Sequence, residues 1–228
     1  EHVGGTVVEC NTAYDGARDT TEKHQKLMAD HGWTNYFDVD LMDGEGPDLE
    51  LDIPNGKQIQ KNYVGKNLKN YNSMLVLSHF KGHPMGGFGG ALKQLSIGVA
   101  SSYGKKYIHG AGSTENYFGT EQNLFLDSMA DAASSIHNMF SKHIAYINVM
   151  CNLSVDCDCC ANAEDPCMKD IGVLASLDPI AIDQACVDLI YNSTDEGKEH
   201  FVERIESRNG LRTIETANEL GFGTKDYE

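Results

Sequence analysis

The sequence predicts an α/β protein with a mixed or mostly parallel sheet and helices on both faces. Apolar runs of strand length alternate with amphipathic stretches of helical spacing along the chain, which is typical of a sheet covered by helices. At 228 residues the chain is long enough for one sizeable core. We therefore predict a single domain over residues 1–228, and the missing initiating Met leaves open that it is a fragment of a longer protein.

The first third of the chain is predicted to hold short strands and one helix. Residues 6–10 are β-prone, and residues 20–31 have helical spacing before Gly32, which suits a helix end. Residues 37–42 alternate apolar and acidic side chains, as a half-exposed strand does. Residues 43–72 are rich in Gly, Pro, Asn and Lys, so we expect a long excursion with short strands near 49–53 and 58–64.

The remaining chain shows clearer signals. Residues 74–77 form an apolar run typical of a buried strand, and residues 91–99 are predicted to start a helix. Residues 101–119, rich in Gly, Ser and Tyr, are expected to form a loop. Further elements are predicted as a helix at 120–140 capped by Thr120, a strand at 143–150, a buried strand at 171–175, a helix with Asp178 as N-cap and Pro179 at its first position, and helices at 196–207 and 211–220. The helix at 120–140 is predicted to bury an apolar stripe formed by Phe125, Met129, Ala132, Ile136 and Met139. The helix that follows Asp178 is predicted to turn Ile182, Ala185, Cys186 and Leu189 towards the core, and its Asp183 is expected to be a solvated carboxylate.

A glycine-rich stretch, SHFKGHPMGGFGGALK, follows the strand at 74–77 and precedes the helix at 91–99. Glycines allow close approach to backbone N–H groups, which together with a helix N-terminus suit a phosphate or carboxylate. The stretch is neither a Walker loop nor GxGxxG. A purely structural turn is the alternative. The residues that would bind an anion or metal, or move protons, are Gly86, Gly87, Gly89, Gly90, His79, Lys81, His83 and Lys93.

The seven cysteines include four that crowd into eleven positions: Cys157, Cys159, Cys160 and Cys167. Thiolates bind zinc, copper(I) and iron–sulfur clusters. The spacing is neither that of a ferredoxin nor that of paired CxxC knuckles, so thiol redox chemistry and a structural cluster remain open. Because this loop and the glycine-rich stretch both follow strands, we expect them to face one crevice at the carboxyl ends of the sheet.

The net charge of the chain and its lack of long apolar runs limit which partners and which cellular location we expect. The chain has 34 acidic and 18 basic side chains, a net charge of −16, whereas nucleic acids and anionic membranes attract clustered Lys and Arg. No apolar run is long enough for a membrane span, and residues 1–5 lack a signal-peptide pattern. We predict a cytoplasmic protein that binds neither nucleic acid nor membrane.

Three motifs together resemble a known family. The glycine-rich stretch, the CDCC loop and the segment DIGVLASLDPIAIDQACVDLI are similar to the uncharacterised iron–sulfur-centre proteins grouped as domain of unknown function 362. The similarity covers roughly residues 4–227. It implies an iron–sulfur cluster and a ferredoxin-type electron partner or domain, although CxxCxxCxxxCP does not occur in this chain.

A more distant resemblance is to lactate racemase. That family has a histidine, a glycine-rich turn, a lysine ten positions after the histidine and a second histidine sixteen positions beyond the lysine, and His83, Lys93 and His109 fall at these intervals. The resemblance implies acid/base chemistry at His83, a nickel-pincer nucleotide tethered to Lys93 and nickel ligation by His109. The racemase serine of the turn and its upstream Asp-His-Thr-Arg are missing here.

Our leading interpretation is a metal-binding or iron–sulfur-associated protein, redox-active or cofactor-dependent. Alternatives are a racemase-like enzyme and a non-catalytic module for a small anionic ligand. The cofactor is predicted to be an iron–sulfur cluster or a transition metal, nickel or zinc. The residues assigned are His83 and Lys93 for catalysis, Lys93, Gly86, Gly87, Gly89 and Gly90 for cofactor binding, and His79, His109, Cys157, Cys159, Cys160 and Cys167 for metal.

Overall fold

The structure is a computed structural model that describes residues 4–46, 48–160 and 162–228. Residues 1–3, part of the stretch that lacks a signal-peptide pattern, lie outside the described residues. The strands of the described ranges are β1 Thr6–Glu9, β2 Asp38–Leu41, β3 Leu49–Asp52, β4 Lys61–Val64, β5 Met74–His79, β6 Lys81–His83, β7 Gly87–Gly89, β8 Ile144–Met150 and β9 Gly172–Ser176. The helices are α1 Thr21–Asp30, α2 Ala91–Lys93, α3 Ser102–His109, α4 Gln122–Phe140, α5 Pro179–Tyr191, α6 Lys198–Ser207 and α7 Arg212–Leu220.

The central sheet has the order β5-β8-β9. β5 runs parallel to β8, with Met74 opposite Ile144 and His79 opposite Val149, and β9 is antiparallel to β8. Smaller two-stranded sheets pair β1 with β2 in parallel, and β3 with β4 and β6 with β7 in antiparallel fashion. The α/β class and the mixed strand directions agree with the prediction.

Successive side chains along the central strands point alternately to a buried and to an exposed face of the sheet. Val76, Tyr146 and Asn148 point inward and are almost fully buried, where α2 and α5 pack against the sheet. Leu75 and Leu77 on the opposite face are 61% and 58% exposed. Helices therefore cover one face of these three strands within the described part of the chain, while the other face presents apolar side chains to solvent.

The long helix α4 supplies much of the core. Phe125, Met129, Ala132 and Ile136 of the predicted apolar stripe are buried, whereas Met139 near the helix end is 38% exposed. The helix begins at Gln122, later than predicted, and its N-cap is Glu121 and not Thr120, because the Glu121 carboxylate accepts the Asn123 N–H at 3.2 Å.

Two sequence predictions are wrong in this half of the chain. Residues 101–119, predicted as a loop, contain α3, because Ser101 Oγ accepts the Gly104 N–H at 2.9 Å and Ile108 is buried. A Cβ at Gly104 would lie 1.9 Å from the Tyr63 carbonyl oxygen, so this glycine permits close packing rather than a loop. The strand at 171–175 was predicted to be buried, but Val173 in β9 is 62% exposed.

The predicted start of α5 is confirmed. Asp178 accepts hydrogen bonds from the N–H groups of Ile180 and Ala181 at 2.8 and 3.0 Å, and Pro179 occupies the first turn. The last helix, α7, ends at Gly221 with φ of 74°, as its sequence predicts. Among the helices of the described ranges, none combines the length and apolar character that crossing a bilayer requires.

Candidate metal centre

The glycine-rich stretch and the cysteine loop meet at one edge of the central sheet. β5 and β8 are parallel, so both end at this edge. The chain after β5 forms the β6–β7 hairpin, and the loop after β8 crosses it, with the Gly82 N–H donating to the Ser154 carbonyl at 2.8 Å. The two loops therefore lie in contact at the same edge of the sheet, as predicted.

Gly82 determines how closely the two segments approach. A Cβ at this position would lie 2.3 Å from the Val155 carbonyl oxygen and 2.4 Å from its Cα. Both are backbone atoms, which cannot move without shifting the whole cysteine loop. The absence of a side chain at Gly82 thus brings the cysteine loop onto the hairpin and towards His83.

Three side chains with metal-binding atoms converge here. Atoms of His83, Cys157 and Cys159 all lie within 4.8 Å of one another, and the two sulfur atoms are 2.7 Å apart. His83 and Cys157 are 6% and 3% exposed, while Cys159 is exposed. One imidazole and two thiols in this arrangement form a possible metal-binding group that opens to solvent on the Cys159 side.

The surrounding turn determines which nitrogen of His83 carries the proton. Nδ1 accepts hydrogen bonds from the Met85 and Gly86 N–H groups at 3.1 and 2.9 Å. The neutral ring must therefore carry its proton on Nε2, which is the nitrogen left for Cys157. Burial lowers the pKa of His83, the Cys157 hydrogen bond acts against this, and the Lys93 charge lowers it further.

The two thiols of the group differ in acidity. The pKa of Cys157 is strongly lowered, first by the hydrogen bond from Cys159 and then, against the effect of burial, by the hydrogen bond with His83 and the Lys93 charge. The pKa of Cys159 is raised because its thiol donates to Cys157 and because the negative charge on Cys157 disfavours a second thiolate beside it. The pair thus shares one proton, with the thiolate on Cys157, the form that attacks electrophiles and binds metal ions.

Asp158, between the two cysteines, anchors the loop to the hairpin. Its carboxylate accepts from His79 Nδ1 at 3.0 Å and from Lys81 Nζ at 2.5 Å. Although burial raises it, the pKa of Asp158 lies well below its usual range because of these two bonds. His79 Nε2 donates to the Cys151 carbonyl at 2.7 Å. Both nitrogens of His79 face acceptors, so the ring bridges Asp158 and the Cys151 carbonyl and holds the loop against β5. The metal-ligand role predicted for His79 stays a prediction.

The remaining loop residues lie outside the three-residue group. Asp156 accepts from Arg204 Nη1 at 2.8 Å, which ties the loop to α6. Cys160 donates its N–H to the Cys157 carbonyl at 2.9 Å, closing a turn. The Cys167 thiol faces the Leu153 carbonyl at 3.4 Å, and burial raises its pKa. The metal-ligand role predicted for Cys160 and Cys167 stays a prediction, and in the described residues neither joins the group.

Lys93 lies beside the group on a short helical segment that continues as a π-helical turn, Gln94–Gly98. Such turns are frequent at functional sites. The Lys93 charge lowers the pKa values of Cys157, His83 and His109, so its ammonium group acts electrostatically on all three side chains. Its side chain runs along the glycine strand, 3.0 Å from where a Cβ of Gly89 would be.

His109 has a well-defined tautomer. Its Nδ1 donates to the Lys105 carbonyl at 2.7 Å, and the ring stacks on Phe125 with centroids 4.8 Å apart. Burial lowers its pKa to about 4, so the ring is neutral. Nε2 therefore keeps its lone pair, as a metal-binding histidine requires, but His109 is not one of the three converging residues.

The predicted glycine cradle is buried, and its partners are the protein's own groups. A Cβ at Gly90 would lie 2.4 Å from Asp183 Oδ1, and one at Gly87 (φ 80°) would lie 2.8 Å from Gly210 Cα. Asp183 accepts the Ala91 and Leu92 N–H groups at 2.7 and 2.9 Å.

Asp183 was expected to be a solvated helix carboxylate, which is wrong. It is fully buried, and burial raises its pKa to about 6. It occupies the helix N-terminus that the sequence offered to an external anion. A ligand-binding role for Gly86, Gly87, Gly89 and Gly90 stays a prediction.

Sequence reasoning also missed Tyr14, from the loop after β1. Its pKa is raised to about 12, first by burial and then by the charge and hydrogen bond of Cys159. No motif connects Tyr14 with a cysteine so far along the chain, so only the folded structure identifies it as a neighbour of the site.

Comparison with known proteins gave one match. The model of a family described as domain of unknown function (DUF362) matches residues 2–188. No curated protein and no solved structure matches the chain.

Proposed function

This chain belongs to the DUF362 family, and we propose that it binds a thiophilic transition-metal ion through Cys157, Cys159 and His83. The convergence of their ligand atoms within 4.8 Å carries the proposal. Two thiolates and an imidazole suit Zn²⁺, and thiolates also suit softer ions such as copper(I).

Three protein ligands would leave one position of a tetrahedral ion open, as in catalytic rather than structural zinc sites. A bound ion there supplies a Lewis acid. The ammonium group of Lys93 lies within electrostatic reach of both thiols and would offset the charge of two thiolates. It would also attract a small anionic ligand towards the open position, despite the net charge of −16.

His83 must change state to become a ligand. Its Nε2 carries a proton because Nδ1 accepts from Met85 and Gly86. For the neutral ring to bind a metal ion through Nε2, this proton must move to Nδ1, which would break both backbone hydrogen bonds. The exchange rates of the Met85 and Gly86 amide protons, measured with and without metal, therefore report on His83 ligation specifically.

Cobalt(II) titration tests the proposal, because thiolate-to-cobalt charge transfer and tetrahedral ligand-field bands report donor type and geometry. We expect both in the wild type and their loss in Cys157→Ser and Cys159→Ser, with a weaker, altered spectrum in His83→Gln. Cys167→Ser is the matched control, since its thiol lies elsewhere in the loop. An unchanged spectrum in Cys157→Ser, or no cobalt binding by the wild type, would refute the proposal.

The family resemblance suggests a more specific alternative, an iron–sulfur cluster in place of a single metal ion. Clusters are usually held by four thiolates, and the structure gathers Cys157 and Cys159 with His83, while Cys160 and Cys167 do not join them in the described residues. The donor set thus fits a single ion better. Iron with acid-labile sulfide in protein purified without oxygen would favour the cluster, and with it a ferredoxin-type electron partner.

A racemase-like cofactor is the second alternative, supported by one observation. The charge of Lys93 lowers the pKa of both His83 and His109, so its ammonium group is near both rings. A mass adduct on Lys93 after co-expression with genes that make a nickel-pincer cofactor would support it, and Lys93→Arg provides the control with the charge retained.

The closeness of the two sulfur atoms, 2.7 Å apart, favours dithiol redox chemistry as a further candidate. Oxidised glutathione would convert the two thiols to a disulfide and be reduced to two glutathione molecules, with His83 beside the thiolate. Loss of two thiols, by mass after alkylation, tests this. All seven cysteines are free, which supports the proposal of a reducing compartment, such as the cytoplasm.

A further inference from the structure

β9 is an edge strand without the usual protection. In the described residues the central sheet ends at β9, so the backbone groups on its outer side are not paired with another strand. Its sequence, GVLAS, has no charged residue and no proline, the features with which natural proteins block edge-to-edge pairing. Val173 in this strand is 62% exposed and Leu177 just after it is 75% exposed. This edge is open to an added strand.

A groove lies beside the edge. It has a volume of about 630 Å³ and is enclosed by β9, α5 and residues 224–228. Its floor and wall are apolar, formed by Leu174, Ala181, Ala185 and Leu189. Leu189 is 40% exposed although the sequence predicted it to face the core. The groove therefore offers apolar contact to side chains from a strand laid along β9.

The rim of the groove is acidic. Asp188, Asp226 and Glu228 line it, and Asp226 and Glu228 are exposed. Among the described residues, the side chains that donate to the Asp188 carboxylate are the neutral groups of Gln184 and Tyr227, at 2.9 and 2.7 Å, so its charge is not offset by them. A second copy of this chain, with a net charge of −16, would bring the same carboxylates against this rim. Charge complementarity favours a basic occupant.

We propose that this groove binds an extended, basic segment of a partner protein, which pairs with the free edge of β9. Main-chain hydrogen bonds to β9 give such binding its affinity, and alternate side chains give its specificity. Apolar side chains at every second position would enter the groove, and Lys or Arg side chains would face Asp188, Asp226 and Glu228. This surface lies apart from the metal centre in its residues, and the proposal does not depend on that site.

The test uses a fluorescent peptide of about seven residues that alternates lysine and valine, with glutamate in place of lysine in a second peptide. We expect the lysine peptide to bind, the glutamate peptide not to bind, and added salt to weaken binding. Leu189→Asp and Asp226→Lys should each weaken it by about tenfold or more. Leu124→Asp, 37% exposed on α4, and Glu199→Lys, 83% exposed on α6, should leave it unchanged.

Amide hydrogen exchange, measured on the wild type with and without the lysine peptide, tests the proposal even if a variant fails to fold. The lysine peptide should protect amides in Gly172–Ser176 from exchange. Binding without this protection would overturn strand addition, as would equal losses in the control variants or no binding at all. A concentration-dependent dimer that Leu189→Asp abolishes would assign the groove to a second copy and also overturn the proposal.

Discussion

Replacing Asp158 by Asn tests how the metal centre is held in place. The change keeps the size of the side chain but removes the charge that His79 and Lys81 contact at 3.0 and 2.5 Å. Asp158 is 58% exposed in its side chain, whereas Lys81 is 12% exposed. The pairing is thus partly screened, and we expect global stability to fall by only about 1 kcal/mol.

The effect on metal binding should be larger, because Asp158 lies between the two cysteines and its bonds position both thiols. Losing a residue that orients metal ligands typically weakens binding by about tenfold to a hundredfold, or about 1.4 to 2.7 kcal/mol. Competition with a chromophoric zinc chelator measures this change. Asp165→Asn, an exposed residue of the same loop, is the control. Equal zinc affinity in Asp158→Asn and the wild type would refute the role of Asp158 in positioning the thiols. So would an equal loss of zinc affinity in Asp165→Asn.

Three further changes test other parts of the structure. Gly82→Ala should lower the free energy of unfolding, measured in urea, by about 1 to 3 kcal/mol and should weaken zinc binding. Gly16→Ala, with no atom within 4 Å of its added Cβ, should be nearly neutral. Equal effects of the two changes would show that the close backbone contact at Gly82 does not explain the loss. The pKa of His24 is lowered by burial to about 4, below its unfolded value of about 6.5, so its stabilisation is complete above pH 6.5 and is lost as pH falls towards 4. His24 should therefore account for up to about 2 kcal/mol of the stability that the wild type loses between pH 7 and 5, and the buried His109 adds its own loss in the same range. In thermal melts at the two pH values, His24→Gln should lose that much less than the wild type, and an equal loss would contradict the role of His24. Lys93→Met should leave the fold intact and raise the pKa of Cys157, so that iodoacetamide alkylates that thiolate more slowly at mildly acidic pH; an unchanged rate would remove Lys93 from the site.

Much of the fold could be predicted from the sequence. Strand-length apolar runs at β5 and β8 and the Asp178-Pro179 start of α5 are local signals, since chain periodicity and capping depend on neighbouring residues. The helix α3 was missed because its glycine and serine content suggested a loop. Its stability comes from burial of Ile108 and from close packing of Gly104 against Tyr63, and both depend on distant parts of the chain.

Local sequence patterns were enough to predict the α/β class, the two loops that carry His83, Cys157 and Cys159, and their position after strands of the central sheet. Which of these residues meet depends on contacts between distant parts of the chain. His79 and Asp158 became a clamp because their partners lie on separate segments, and Asp183 took the helix N-terminus that an anion was expected to fill. These outcomes follow from burial and from pairing across long sequence separations, which local patterns do not encode.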